Sequence, residues 1–532
     1  MSHNDSHRGS QSASETSRLL NDNTASENEA SPTTRDARIY LLLPTVGVGM
    51  FMVALDQLLV ITSYTKIGSE LEALNNTSWI ATAYFLALTI FQPLYGRLSD
   101  IFGRKECLLF AYSAFGLGCL GCGLARDMVQ LCIARAVAGV GGGGVNAVVS
   151  ILLSDLVPLR ERGIYQGYIN IIWGAGTSLG APLGGFLADS IGWRWSFLIQ
   201  VPMCVIAWAL VYFFLHVPSN SHHHWLQKVR QVDFLGALTL ALAVVSLLSG
   251  LDAGSNLGWS DVRSMVPLSL VPAFFAAFIY VELKVASYPF APGHIILDPS
   301  LLSCYLTNFF GIAGQMAMLL YIPLYWQVVQ RISASRSGTL MTPSTIAVIV
   351  SSVVGGWMVR HYGRFYLPTV LSFGLLLFSI FPLALSVWGK STLGVVVGLV
   401  LAALGIGSGI TTTLVGLLSN AAIEDTAVAV ACSYLFRSLG SSVGISLTSA
   451  VQQQVIRSQL EARLGGDDNV AREIEKRVRQ SLDYINELPP DLQDLVRSVY
   501  QVGALGATVP TAVFLAAAFL ASLWIKDKAL RK

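Results

Sequence analysis

Three ionisable residues, Asp56, Arg135 and Arg437, fall inside long apolar stretches of this chain. A charge near the centre of a bilayer costs roughly 2.5–3.5 kcal/mol on insertion scales, so each needs a partner, a wet cavity or a function. Asp56 is the only carboxylate well inside such a stretch. A carboxylate held away from water is suited to taking up and releasing a proton. Arg135 stays charged at any physiological pH, and Asp56 is its natural partner. Protonating Asp56 would free the guanidinium for another contact, which couples a proton to a conformational step. A static buried pair uses the same two residues, and an Asp at the membrane interface is the plainer reading of position 56. Arg437 is a cavity candidate that can also snorkel to the interface. Gln57, Asn170, Trp173, Asn308 and Gln315 are further cavity candidates. Each alone serves equally well as a helix-packing group.

These side chains need apolar elements to hold them. Only 12% of the residues are charged and 53% are hydrophobic, against about 25% charged in an average soluble protein. Windows of about twenty apolar residues mark membrane helices. Fourteen are predicted, from 39–61 through 502–525. The expected organisation is a disordered cytosolic tail over 1–38, a six-helix half over 39–216 and a cytosolic loop over 217–232. Two extra helices over 233–283 follow, then a second six-helix half over 284–525 and a cytosolic tail over 526–532. An even number of spans puts both termini on one side. Just over half of the 34 Lys and Arg lie on that side, which favours cytosolic termini. Within 452–500, on the opposite side, Val470, Ile474, Val478, Leu482 and Ile485 recur at helical spacing, which predicts an amphipathic helix pair.

A charged loop between the second and third spans reads Gly96-Arg97-Leu98-Ser99-Asp100-Ile101-Phe102-Gly103-Arg104-Lys105, and its frame returns at Gly356 through Arg360 to Gly363-Arg364. The duplication places the two extra spans between the halves. Duplicated membrane proteins of this kind are usually transporters whose halves rock about a central site. Asp100 and Arg104, four apart, can pair across a helical turn, although the loop's basic residues would hold it in the cytosol in any case. In the second copy Arg360 stands where the first has Asp100.

The loop resembles the cytoplasmic signature of the major facilitator superfamily, and fourteen spans resemble its second drug:proton antiporter branch. The resemblance implies an all-α polytopic fold of two six-helix halves plus two helices. It also implies a gate built from Gly96, Asp100, Gly103, Arg104 and Lys105. Leu55-Asp56-Gln57-Leu58-Leu59-Val60 is similar to the first-helix signature of that branch, with Leu58 where Thr is usual. The stretch around Arg135 is similar to its fourth-helix motif, with Ala138 in place of Gln. Gly176, Gly180, Pro182, Gly184 and Gly185 resemble the antiporter motif of the fifth helix, the proline displaced by one place. Glycines admit close helix packing and a proline bends the helix.

Glu15-Thr16-Ser17-Arg18-Leu19-Leu20 resembles an acidic dileucine sorting signal, with Glu15, Leu19 and Leu20 as its determinants. Asn75 and Asn76 open overlapping N-glycosylation sequons on the lumenal side. The runs Leu74 to Tyr84, Gly139 to Gly144, Ser154 to Gly163 and Ile191-Gly192-Trp193-Arg194-Trp195 resemble fungal vacuolar basic amino-acid transporters. This resemblance implies a proton-coupled antiporter of the vacuolar membrane whose partners are basic amino acids, protons, the bilayer and a sorting adaptor. Multidrug efflux at the plasma membrane and a non-transporting nutrient receptor remain alternatives. No nucleotide-binding Gly-x-x-x-x-Gly-Lys-Ser/Thr run occurs, no catalytic constellation converges on one face, and no cofactor, metal site or nucleic-acid partner is expected. Cys119 and Cys122 read as helix-packing residues, and His222-His223-His224 as a solvated loop.

Overall fold

The computed structural model describes residues 32–528, apart from 62–66, 68–69, 72–77, 160, 216–232, 286–291, 333, 464–484 and 486–487. The described chain is almost wholly helical. Fourteen long helices follow in order: α1 (Pro32–Ile61), α2 (Ser78–Phe102), α3 (Arg104–Leu124), α4 (Met128–Leu156), α5 (Arg162–Ser190) and α6 (Arg194–Phe214). Next come α7 (Phe234–Leu257), α8 (Val262–Val285), α9 (Pro299–Val328) and α10 (Ala334–Tyr362). The last four are α11 (Tyr366–Trp388), α12 (Thr392–Asn420), α13 (Thr426–Arg463) and α14 (Pro490–Leu523). Ten of them are long and apolar enough to cross a membrane by length and composition alone. They are apolar on nearly every face, because lipid outside and side chains inside both favour apolar groups.

The two six-helix halves, α1–α6 and α9–α14, repeat one packing scheme. Helix α1 lies on α5 as α9 lies on α13, and α2 lies on α4 as α10 lies on α12. Glycines make these pairs close. The run Gly139 to Gly144 lets α4 wedge between α2 and α3, where a side chain on Gly143 would meet the Leu88 carbonyl at 2.9 Å and one on Gly144 the Ala111 Cβ at 2.7 Å. The halves meet through α5 on α10 and α2 on α13, again a symmetric pair of crossings. Helix α7 covers the seam, its Leu240, Val244 and Leu248 packing with Leu94 of α2 and with Leu435 and Leu439 of α13. The extra pair α7 and α8 therefore stands between the halves in sequence and lies over their junction in space.

The halves touch near the Asp100 end of the bundle. A Cβ on Gly163 of α5 would lie 2.7 Å from the Gly356 Cα of α10, and one on Gly96 of α2 would lie 2.6 Å from the Ala431 Cβ of α13. Polar contacts join the halves there, among them Asn170 to Ser352 at 2.6 Å, Ser438 to Gln92 at 2.8 Å and Arg360 to Glu161 at 3.5 Å. The bundle is thus closed on the Asp100 side.

At the other end α13 runs on to Arg463 and α14 begins at Pro490. Both overrun the spans of 428–450 and 502–525 expected from hydropathy, because their amphipathic extensions leave the membrane without a break in helix. Ile456, Leu460, Ile485, Leu488, Val496 and Val499 close into a small core there with Val328 of α9. Ile485 thus joins that core, whereas Val470, Ile474, Val478 and Leu482 lie outside the described residues.

Candidate functional site

Asp56 sits near the end of α1 far from the Asp100 loop, and it is fully buried. Arg135, two turns into α4, is 2% exposed. Its Nη1 donates to both carboxylate oxygens of Asp56, at 3.0 and 2.8 Å. The remaining shell is complete enough to hold a charge. Gln200 Nε2 of α6 donates to Asp56 Oδ1 at 3.2 Å, and Arg135 Nε donates to the Ile80 carbonyl at 3.3 Å. The guanidinium lies 4.3 Å from the ring centre of Tyr84 and 5.7 Å from that of Phe197. Four helices, α1, α2, α4 and α6, therefore converge on one ion pair. Sequence reasoning brought Asp56 and Arg135 together; it missed Gln200, Tyr84 and Phe197, since neutral and aromatic residues in a span raise no electrostatic alarm.

At the opposite end Gly103 takes φ 103°, a left-handed conformation that favours glycine, and turns α2 into α3. That turn brings Arg104 back against Asp100, with Nη1 to Oδ1 at 2.6 Å, and lets it donate to Ser99 Oγ at 2.8 Å. A partner the sequence analysis did not assign is Asp155 at the end of α4, whose Oδ2 accepts from Arg104 Nε at 2.9 Å. Its place in the Ser154 to Gly163 run, directly before the next loop, was the available signal. Lys105 donates to the Tyr212 carbonyl at 2.7 Å and tethers the loop to α6. In the repeated loop Arg360 reaches the other half and pairs with Glu161. The first copy is tied within its own half and the second is tied across the halves.

Comparison with known proteins places the chain in a family. The Major Facilitator Superfamily profile matches residues 46–445. The chain belongs to the Major Facilitator Superfamily. It is a transporter of that superfamily and not an enzyme. It is 37% identical over 498 residues to the vacuolar membrane amino acid uptake transporter fnx2 of Schizosaccharomyces pombe, covering 92% of this chain and 84% of that one. It is 38% identical over 493 residues to the multidrug resistance protein fnx1 of the same yeast, covering 92% of each. Vacuolar basic amino acid transporter 1 of Saccharomyces cerevisiae is 32% identical over 492 residues, with 85% of each chain covered. Among solved structures the human organic anion transporter MFSD10 shares the fold, with a TM-score of 0.61 at 12% identity, over 91% of this chain and 99% of that one.

The other candidate residues of this superfamily member scatter over distinct roles. Asn308 is buried and donates to Ser433 of α13 at 3.1 Å, a packing bond within the second half. Asn170 accepts from Gln166 and donates to Ser352, so it stitches α5 to α10. Gln57 and Gln315 are half-buried on α1 and α9, and Trp173 is half-buried against the core of the first half. Arg437 lies on α13, 5.0 Å from the Tyr434 ring centre. Gly176 is the point at which α5 meets α1, where a Cβ would lie 2.8 Å from that of Ala54. Gly180 and Gly184 are buried farther along α5, while the surroundings of Pro182 and Gly185 lie outside the described residues. So do Glu15, Leu19, Leu20, Asn75, Asn76, the loop over 217–232 and its histidines. Among the described residues no group of His, Cys, Asp and Glu has metal-site geometry, and the seven cysteines are unpaired.

Proposed function

We propose that this transporter is a proton-coupled antiporter that moves basic amino acids from the cytosol into the vacuole. The observation that carries the proton coupling is the Asp56–Arg135 pair, fully desolvated and tied to four helices. Protonating Asp56 removes the counter-charge of Arg135, and an uncompensated buried guanidinium drives rearrangement of the helices around it. With the termini in the cytosol, the closed Asp100 end is cytosolic and this form is the one turned to the lumen. Substrate leaves, a lumenal proton neutralises Asp56, and the halves rock to the cytosolic-open form. There substrate binds, the proton is lost, the ion pair re-forms, and the carrier returns. Arg104, Asp100, Asp155 and the Arg360–Glu161 pair stabilise the lumen-open form by holding the cytosolic end shut.

The substrate class and the vacuolar membrane are supported by the names of fnx2 and of vacuolar basic amino acid transporter 1. Multidrug efflux is the second reading, favoured by the equally similar fnx1. Reconstituted protein decides between them. Each pH unit supplies about 1.4 kcal/mol per proton, so an acid-inside gradient should drive accumulation of labelled arginine or lysine and collapse with an ionophore. Accumulation of a cationic dye without any amino acid selects the efflux reading.

A further inference from the structure

Unlike Arg135, Arg437 has no counter-ion among the described residues. Among the described residues it forms neither a hydrogen bond nor an ion pair, and its one neighbour of note is the Tyr434 ring. It stands three turns into α13, about 16 Å from the start of that helix, near the middle of a hydrocarbon core of roughly 30 Å.

The pseudo-symmetry of the bundle says which way it points. Helices α5 and α13 start at Arg162 and Thr426 and contact the opposite half at the same steps. Gly163 and Gly167 approach Gly356 and Val353, while Ala427 and Ala431 approach Gly96. Two turns farther, Gly174 meets Ile349 and Ser438 bonds Gln92. The residue just before each of these last two is Trp173 on α5 and Arg437 on α13. On α5 the outward face carries exposed Tyr168, Ile171, Leu179 and Phe186; on α13 the equivalent face, with Leu435 and Leu439, lies under α7. At 100° per residue, Trp173 and Arg437 stand on the side away from those outward faces and at one depth, Trp173 partly against the core of the first half.

We infer that Arg437 receives the α-carboxylate of the transported amino acid, and that Trp173, its pseudo-symmetry mate, receives the cationic end of the same molecule. The inference rests on the amino-acid reading above and assigns its substrate contacts. A guanidinium and a carboxylate match as a two-pronged, charge-assisted pair, and an indole face attracts a cation. The two ends of arginine or lysine thus find unlike partners on the two halves, and bound substrate bridges them. Arg437 also repels an organic cation that lacks a carboxylate, so one residue both attracts the substrate and excludes amines of the same shape.

Counterflow into proteoliposomes holding the full chain, preloaded with unlabelled arginine, reads binding and exchange without a proton gradient. For the native protein, agmatine and arginine amide, which lack the carboxylate, should compete with labelled arginine about tenfold or more weakly than arginine itself. Arg437→Gln should lower arginine exchange about tenfold to hundredfold, the range of one charge-assisted bond, and abolish the preference over agmatine. Arg437→Lys should keep part of both. Trp173→Leu should weaken arginine and lysine while preserving the preference over agmatine. Equal competition by agmatine and arginine on the native protein overturns the inference with no variant needed. Persistence of the preference in Arg437→Gln overturns the assignment to Arg437. A native protein that exchanges no amino acid but takes up a cationic dye overturns the amino-acid reading itself.

Discussion

Replacing Asp56 with Asn would leave the Arg135 guanidinium charged and 2% exposed, without its counter-ion. In the native pair Arg135 Nη1 stands 2.8 Å from Asp56 Oδ2, with nothing between them. At an effective dielectric of about 20, opposite charges about 4 Å apart attract by roughly 4 kcal/mol. The Ile80 carbonyl and the Tyr84 ring stay in place and offset part of that attraction once the carboxylate is gone. Breaking one side of a buried pair generally costs about 3–5 kcal/mol, so the single variant should be markedly less heat-stable in detergent. Replacing Arg135 with Gln as well removes the stranded charge, and Asp56→Asn with Arg135→Gln should recover most of the stability. Neither protein should accumulate substrate on a pH gradient. Size-exclusion traces after graded heating report stability, and acid-inside proteoliposomes report coupling. Two results would refute the reasoning: a single variant as heat-stable as the native protein, or a double variant with normal gradient-driven uptake.

Asp155→Asn takes one of two carboxylates from Arg104; these groups are partly exposed, so stability should fall by less than about 1 kcal/mol. Turnover should slow and a cysteine placed behind the cytosolic loops should label faster, and unchanged labelling would free Asp155 from any gating role. Gly356→Val places a side chain against the Gly163 backbone of the other half and should hold the cytosolic end open, raising the same labelling at least as far. The Glu70 carboxylate accepts from Trp193 Nε1 at 2.7 Å and from Arg194, and the Arg194 bond holds its carboxyl below the usual range. A lowered carboxyl contributes stability above its unfolded value and loses it only as pH falls through the lower folded value. Heat stability should therefore not fall through Glu70 between pH 7 and 5, and Glu70→Gln should lower it equally at both; an acid-induced drop that vanishes in the variant would contradict this. Leu19→Ala with Leu20→Ala should move a tagged protein from the vacuolar rim to the plasma membrane, and unaltered rim staining would place the sorting signal elsewhere.

What could be read from sequence followed the size of each free-energy penalty. Fourteen apolar runs predict fourteen helices because an unsatisfied backbone in lipid is prohibitive, and the described residues form fourteen long ones. Asp56 and Arg135 stood out because charge in a span is expensive. Gln200, Tyr84 and Phe197 complete the same site but are ordinary residues for a span, so only their convergence in space reveals them. Asn170 and Asn308 looked alike in sequence, yet one bonds across the halves and the other within one half. Asp155 was hidden because a carboxylate at a loop edge carries no penalty. The true ends of α13 and α14 were hidden for a related reason. Beyond the membrane surface a helix can continue on an amphipathic pattern, and hydropathy stops reporting it.

Those overrunning ends have a practical consequence. Helix α13, with 38 residues, is about 57 Å long, so more than about 20 Å of it clears a hydrocarbon core of about 30 Å. It continues without interruption from the helix that carries Arg437, and α14 rises beside it onto the shared apolar core. Two halves related by near-symmetry are hard to tell apart in particle images, especially inside a detergent belt. This rigid projection belongs to one half only. An antibody fragment raised against it would mark that half in every image and report its tilt as the carrier turns over.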